Sequence, residues 1–132
     1  DAQINSAQLN QPIRQAVENT HIGYYKVGAM TQGLGWEQYA YPVKLETLLQ
    51  GNSSKMALES HAVTLIKHPQ IASQSTYFNK TGSTNGFGAY AAFVPQHKIG
   101  MVMLANTNFP NEARIKATYQ AMQQILKQKA VS

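Results

Sequence analysis

The stretch STYFNKTGSTNGFGAYAAFVPQHKIGMVMLAN, residues 75–106, decides the fold. Its first eight residues open with β-branched and aromatic residues, as in a strand, and end in Lys80, Thr81 and Gly82. STNG at 83–86 has turn chemistry, and FGAYAAFVP at 87–95 reads as a second strand built with small residues. QHK at 96–98 is a tight connection. IGMVMLAN at 99–106 is a nearly continuous apolar run, as expected for a strand buried on both faces. The chain then closes with TNFPNEARIKATYQAMQQILKQK. Pro110 suits a first helical turn, Glu112 suits the positive end of a helix dipole, and Ile115, Tyr119, Met122, Ile125 and Leu126 form an apolar stripe. The fold class is therefore α/β of the α+β type: an antiparallel sheet of at least three strands backed by a C-terminal helix.

The N-terminal half is less regular. Residues 6–18 place Leu9, Ile13, Ala16 and Val17 at helical spacing behind Ser6 as N-cap, with Pro12 as an alternative start. GYYKVGAM predicts a short helical turn to Met30, followed by a bend at Gly33 and Gly35 and a strand at 36–39. LETLLQG predicts one or two helical turns stopped by Gly51 as a C-cap. The apolar residues of 55–67 predict short strands, and KHPQIASQ predicts a loop. There are no internal repeats.

The length of 132 residues fits one domain, and 43% hydrophobic against 13% charged residues excludes a disordered chain. The net charge of +5 is carried by scattered lysines without an arginine-rich run, which argues against a nucleic-acid partner. With no cysteine, disulfides, zinc thiolate sites and thiol catalysis are excluded. No apolar run approaches the ~20 residues of a membrane span. His61 and His68 are seven apart, with Pro69 directly after His68, and His21 and His97 are remote in sequence, so no metal site is expected. NSS and NKT fit a glycosylation sequon but are read as a turn and as part of the strand end.

Lys80, Thr81 and Gly82 are the first candidates for chemistry. Alternation along a strand puts Lys80 and Gly82 on one face and Thr81 on the other. A lysine head and a hydroxyl at a strand end can bind a carboxylate, and a glycine admits close approach to the backbone. The plain alternative is a solvated lysine beside a hairpin turn. Asn106, Asn108, Asn111 and Arg114 follow the third strand, and Asn111 and Arg114, three apart, share a helical face. Helix capping by Asn108 and a surface Arg114 would explain them equally well.

Two longer stretches bear on that choice. KTGSTNGFGAYAAFVPQHKIGMVMLANTNFPNEARI, 80–115, resembles the C-terminal segment of class C serine β-lactamases, and MTQGLGWEQYAYPV, 30–43, resembles a preceding segment of the same enzymes. The resemblance runs from about residue 1 to residue 126, and K-T-G is itself a motif of β-lactamases and penicillin-binding proteins. It implies a β-lactamase/transpeptidase-like fold and a cephalosporinase that opens the β-lactam amide through an acyl-enzyme. By resemblance, Lys80 assists the catalytic tyrosine and attracts the substrate carboxylate, while Thr81 and Gly82 complete the motif. The Ser83 backbone N–H is implied as an oxyanion-hole donor, a role worth about 3 kcal/mol. Asn111 and Arg114 match carboxylate-recognising positions, Asn108 is an adjacent polar position, and Glu37 matches a supporting glutamate. Residues 52–54 border the antibiotic's side-chain pocket, with Ser54 where the family often has asparagine. No metal or organic cofactor is implied, and the implied location is periplasmic, with a signal peptide upstream of Asp1.

The departure from the family is large. No serine here has lysine three positions later, so S-x-x-K is absent. YFN at 77–79 satisfies Y-x-N, yet it directly precedes Lys80 with Tyr77 and Asn79 facing away from it, so it is read as coincidence. Residues 1–132 are thus expected to be the C-terminal portion of a larger enzyme, inactive alone. The missing N-terminal segment is then a partner, or the uncovered apolar surface drives self-association. A penicillin-binding peptidase or esterase of the same fold is the alternative, and a stand-alone non-catalytic domain is a third reading.

Overall fold

The computed structural model describes residues 1–131. Seven antiparallel strands form one sheet: β1 (Gly23–Val27), β2 (Met30–Gly33), β3 (Glu37–Ala40), β4 (Thr64–Leu65), β5 (Thr76–Ser83), β6 (Gly88–Val94) and β7 (Ile99–Ala105), in the order β4-β1-β2-β3-β5-β6-β7. Four helices accompany it: α1 (Gln11–Thr20), α2 (Leu45–Gly51), α3 (Ser54–Leu58) and α4 (Asn111–Val131).

The meander β5-β6-β7 forms as its turn residues dictate. The Thr84 N–H donates to the Phe87 carbonyl across the first turn at 2.9 Å. A short 3₁₀ turn, Pro95–His97, makes the second, and Lys98 leaves it in the left-handed region at φ 49°. Tyr77, Asn79, Tyr90, Ala92, Val94 and Ile99 point to one face. There α4 covers them with buried Ile115 and Met122 and half-buried Tyr119, Ile125 and Leu126. The Tyr119 hydroxyl donates to the Val43 carbonyl at 2.9 Å, tying this helix to the chain ahead of α2.

The opposite face carries Phe78, Lys80 and Gly82 of β5 and is covered only at one end. Phe78 and Phe93 stack there with centroids 4.6 Å apart, His21 lies 4.6 Å from Phe78, and Trp36 meets Phe93 edge-on at 5.0 Å. Such aromatic pairs contribute about 0.5–1.5 kcal/mol beyond their buried area.

Several expectations need correction. The first helix begins at Gln11 behind Asn10, after a separate 3₁₀ turn at Ser6–Gln8. Pro12 sits in the first turn, where proline is tolerated, so the start lies within one residue of the alternative at Pro12. The expected helical turn before Met30 is a hairpin: Val27 pairs with Met30, and Gly28 at φ 58° makes the reversal. Aromatic and β-branched residues in GYYKV favour the strand. Gly51 ends α2 as its last helical residue and is followed by Asn52 as the cap. Residues 55–67, expected as short strands, contain most of α3, whose N-cap Ser53 accepts from the Met56 N–H at 3.2 Å, and only the two-residue β4.

β7 is also a correction. It is an edge strand with one face open: Val102 and Leu104 are 67% and 77% exposed, while Met101 and Met103 turn toward α4. An apolar run reports what a strand could bury, and no described element lies over Val102 and Leu104.

Candidate active site

β5 is longer than the strand beside it. β3 begins at Glu37, opposite Asn79, so residues 80–83 run on with β6 on one side and no strand on the other. The ladder alternates between bonded and non-bonded pairs. Because the 84/87 pair is hydrogen-bonded, 82/89 is bonded as well, and 81/90 and 83/88 are the open pairs. The N–H and C=O groups of Thr81 and Ser83 therefore face the unpaired edge. There a cavity of about 680 Å³ lies between this edge, the α2–α3 corner and the start of α4.

The cavity brings together most of the residues singled out from the sequence. Glu37, Lys80, Thr81, Gly82, Ser83 and Asn111 line it, with Asn52, Ser53 and Ser54 on the rim. Lys80 starts on the partly open sheet face, and its head curls to the edge. Nζ donates to Glu37 Oε1 and to the Thr81 carbonyl, both at 3.3 Å. With Lys80 about half exposed, this pair stabilises the fold by at most about 1 kcal/mol. Burial pushes the Glu37 carboxyl above its usual range, and the Lys80 ammonium pulls it partly back.

A network of asparagines braces the wall from behind. Asn52 Nδ2 donates to Asn79 Oδ1 at 3.1 Å and to the Leu48 carbonyl at 2.9 Å, and Asn111 Nδ2 donates to the Asn52 carbonyl at 2.8 Å. Asn79, fully buried, also donates from Nδ2 to the Glu37 carbonyl at 3.4 Å. The K-T-G strand, the α2–α3 corner and α4 are thus joined through amides. Sequence reasoning missed Asn79 in this role. Its signal was a polar residue at an inward strand position between Tyr77 and Thr81. Tyr77 faces the same interior, its hydroxyl 3.3 Å from that of Tyr90 and pushed by burial up to about 12. It is no base for chemistry at Lys80.

Two candidates stand apart from the cavity. Asn108 is exposed in the loop before α4 and does not line it. Arg114 is 2% exposed, beneath the β5–β6 pair. Its Nη1 donates to the carbonyls of Gly82 and Ala89 at 2.7 and 2.6 Å, and Nη2 donates to Ser83 Oγ at 2.8 Å. The guanidinium fills the space that a Cβ on Gly88 would enter, 3.0–3.1 Å from its atoms.

Comparison with known proteins gives this geometry its class. A beta-lactamase family profile matches residues 4–125, so the chain belongs to the beta-lactamase family. A beta-lactamase of Pseudomonas fluorescens is 51% identical over 119 residues, covering 90% of this chain and 33% of that protein. A solved class C beta-lactamase matches at TM-score 0.86 and 46% identity, over 93% of this chain and 34% of the other. A structure described as a D-alanine carboxypeptidase of Burkholderia cenocepacia matches at TM-score 0.89 and 46% identity, over 93% and 35%. The fold is that of these β-lactamase and carboxypeptidase structures. The chain spans about a third of the length of the relatives it matches.

Proposed function

We propose that this chain is the C-terminal, K-T-G-bearing part of a class C serine β-lactamase that hydrolyses the β-lactam amide through an acyl-enzyme. The observation that carries the reading is the unpaired edge of β5 at residues 80–83, which faces the cavity shared by Lys80, Thr81, Ser83 and Asn111. An open strand edge offers backbone donors and acceptors to an extended ligand. Lys80 attracts the substrate carboxylate, the Thr81 hydroxyl and Asn111 orient it, and the Ser83 N–H faces the position of the acyl oxygen. Arg114 and Asn108 belong to the carboxylate wall in this reading, Arg114 acting from beneath it. Glu37 restrains the Lys80 head.

The nucleophilic serine and its lysine are supplied by polypeptide outside this sequence, and the chain alone does not turn over substrate. That polypeptide is the partner of the open sheet face and of the β7 edge. Without it, two copies of the chain pair through the same surface. No metal or organic cofactor takes part. The whole enzyme acts in the periplasm on β-lactam antibiotics and confers resistance. Among the described residues no helix is long and apolar enough to cross a membrane.

Intact mass spectrometry with a slowly released β-lactam tests this. The 14.5 kDa chain should gain no adduct by itself, and one adduct should appear on the protein once the nucleophile-bearing segment is joined to it. Acylation of a serine within these 132 residues would overturn the proposal. A second reading follows from the carboxypeptidase description of the Burkholderia structure, with TM-score 0.89. A peptidase of this fold would acylate and then release the antibiotic slowly, whereas a lactamase deacylates rapidly.

A further inference from the structure

We propose that Arg114 orients and polarises the Gly82–Ser83 peptide, and so acts as a positioning residue for the oxyanion hole through its charge. The inference rests on the reading of the Ser83 N–H as an oxyanion donor. The two ends of a trans peptide point in opposite directions. Arg114 Nη1 holds the Gly82 oxygen at 2.7 Å, on the β6 side. The N–H at the other end of that peptide, belonging to Ser83, is thereby turned to the open edge and the cavity. Nη2 fixes the same residue a second time through Ser83 Oγ at 2.8 Å.

The charge matters beyond the orientation. No carboxylate lies within ion-pair distance of Arg114 among the described residues. A buried cation without an anion is costly, and a neutral side chain could brace two carbonyls at less expense. What the cation adds is polarisation: a positive group on a peptide oxygen withdraws electron density and strengthens the N–H as a donor, as in any chain of hydrogen bonds. The Gly82 oxygen already takes part in the β5–β6 ladder with Ala89, so the guanidinium is an additional donor on that acceptor. Gly88 completes the device. Any side chain there would push into the guanidinium, which lies 3.0–3.1 Å from where its Cβ would stand.

Polarisation and bracing predict opposite signs in one measurement, the base-catalysed hydrogen exchange of the Ser83 amide in the ¹⁵N-labelled chain. A polarised N–H loses its proton to hydroxide more readily. In Arg114→Gln, which keeps a donor but no charge, the amide should exchange about five-fold more slowly, the gap between charged and neutral hydrogen bonds. Arg114→Lys, which keeps the charge, should restore most of the rate. If Arg114 merely braces the strands, Arg114→Gln loosens the edge, and Ser83 exchanges faster together with its neighbours. Faster or unchanged exchange overturns the proposal. Should Arg114→Gln fail to fold, Gly88→Ala carries the test, because it displaces the guanidinium while leaving it in the molecule. A smaller slowing is expected there, because the guanidinium shifts by only a few tenths of an ångström, and faster or unchanged exchange is equally fatal. Adduct formation in the joined protein is measured independently, so the lactamase reading and this one can fail separately.

Discussion

Gly51→Ala sets two effects of known size against each other at the rim of the cavity. Replacing a glycine at a helical position by alanine ordinarily stabilises by about 0.5–1 kcal/mol, because the unfolded chain loses freedom. Here the new Cβ would fall on the Tyr39 hydroxyl and stand 2.9 Å from Cζ and 3.2 Å from Cε1. The ring cannot swing aside, since Tyr39 is 3% exposed and packed in the main core. Overpacking of this kind costs about 1–3 kcal/mol. The balance is a net loss of roughly 0.5–2 kcal/mol, or about 2–8 °C in Tm at ~4 °C per kcal/mol. Thermal unfolding followed by circular dichroism measures it. Tyr39→Phe should be neutral or stabilising, because the Tyr39 hydroxyl is buried without a partner among the described residues. In the double variant the hydroxyl no longer obstructs the methyl but the 2.9 Å approach to Cζ remains, so only part of the Gly51→Ala loss should be recovered. A rise in Tm for Gly51→Ala alone, or strictly additive effects in the double variant, would refute the reasoning. The consequence reaches the site, because Gly51 is bonded to Asn52, and Asn52 holds Asn79 behind Lys80.

Further predictions concern charge and surface. Lys80→Met removes the group that pulls the Glu37 carboxyl down, so its titration, followed by carbon NMR, should move further upward; a downward move would contradict the pairing. Because the folded carboxyl titrates above its unfolded value, ionising Glu37 costs stability as pH rises past that value, and Glu37→Gln should flatten stability against pH in the acid range. His21 is the opposite case: burial holds its imidazole below 6.5, the unfolded state takes up the proton first, and stability should fall as pH drops below about 6.5. Urea unfolding across pH 5–7.5 should show that loss in the parent chain and not in His21→Gln. Finally, Val102→Lys with Leu104→Glu should abolish self-association in sedimentation velocity while changing stability by less than about 0.5 kcal/mol, since both side chains are mostly exposed.

How far the sequence could be read depended on whether local and distant forces agreed. In β5, β6, β7 and α4 they did: the turn residues at 83–86, the apolar stripe from Ile115 to Leu126 and the position of Pro110 each point to the element observed. In GYYKVGAM they did not, since glycine and aromatics at that spacing suit a helical turn or a hairpin. The decision was made by pairing of β1 with both β2 and β4, a contact across forty residues of chain that periodicity does not report. The K-T-G residues and Asn111 were legible because a strand end and a helix start are local features that the meander brings together. The fate of Arg114 was not. Its spacing from Asn111 predicts a shared helical face, and only packing shows that the shorter Asn111 reaches the cavity while the Arg114 head turns under the strand pair.

The same packing divides the site's polar groups into two sets. Lys80 Nζ, the Thr81 hydroxyl and the Ser83 N–H are donors at the open edge. Glu37 Oε2, Asn52 Oδ1 and Asn111 Oδ1 are acceptors around the same cavity that have no hydrogen-bond partner among the described residues. Each buried acceptor left this way costs about 1–3 kcal/mol, and a protein sustains three together only where something else offsets them. The neighbouring amides do not, because Asn52 Nδ2 gives both hydrogens to the brace behind Lys80 and Asn111 Nδ2 gives one to the Asn52 carbonyl. Donors for the three acceptors have to come from beyond these residues: ordered water, a bound ligand's N–H groups or side chains of the polypeptide that completes the cavity. Where a ligand or that polypeptide supplies them, this wall is more stable occupied than empty. Joining the nucleophile-bearing segment should accordingly slow hydrogen exchange at Asn52 and Asn111 before any substrate is added.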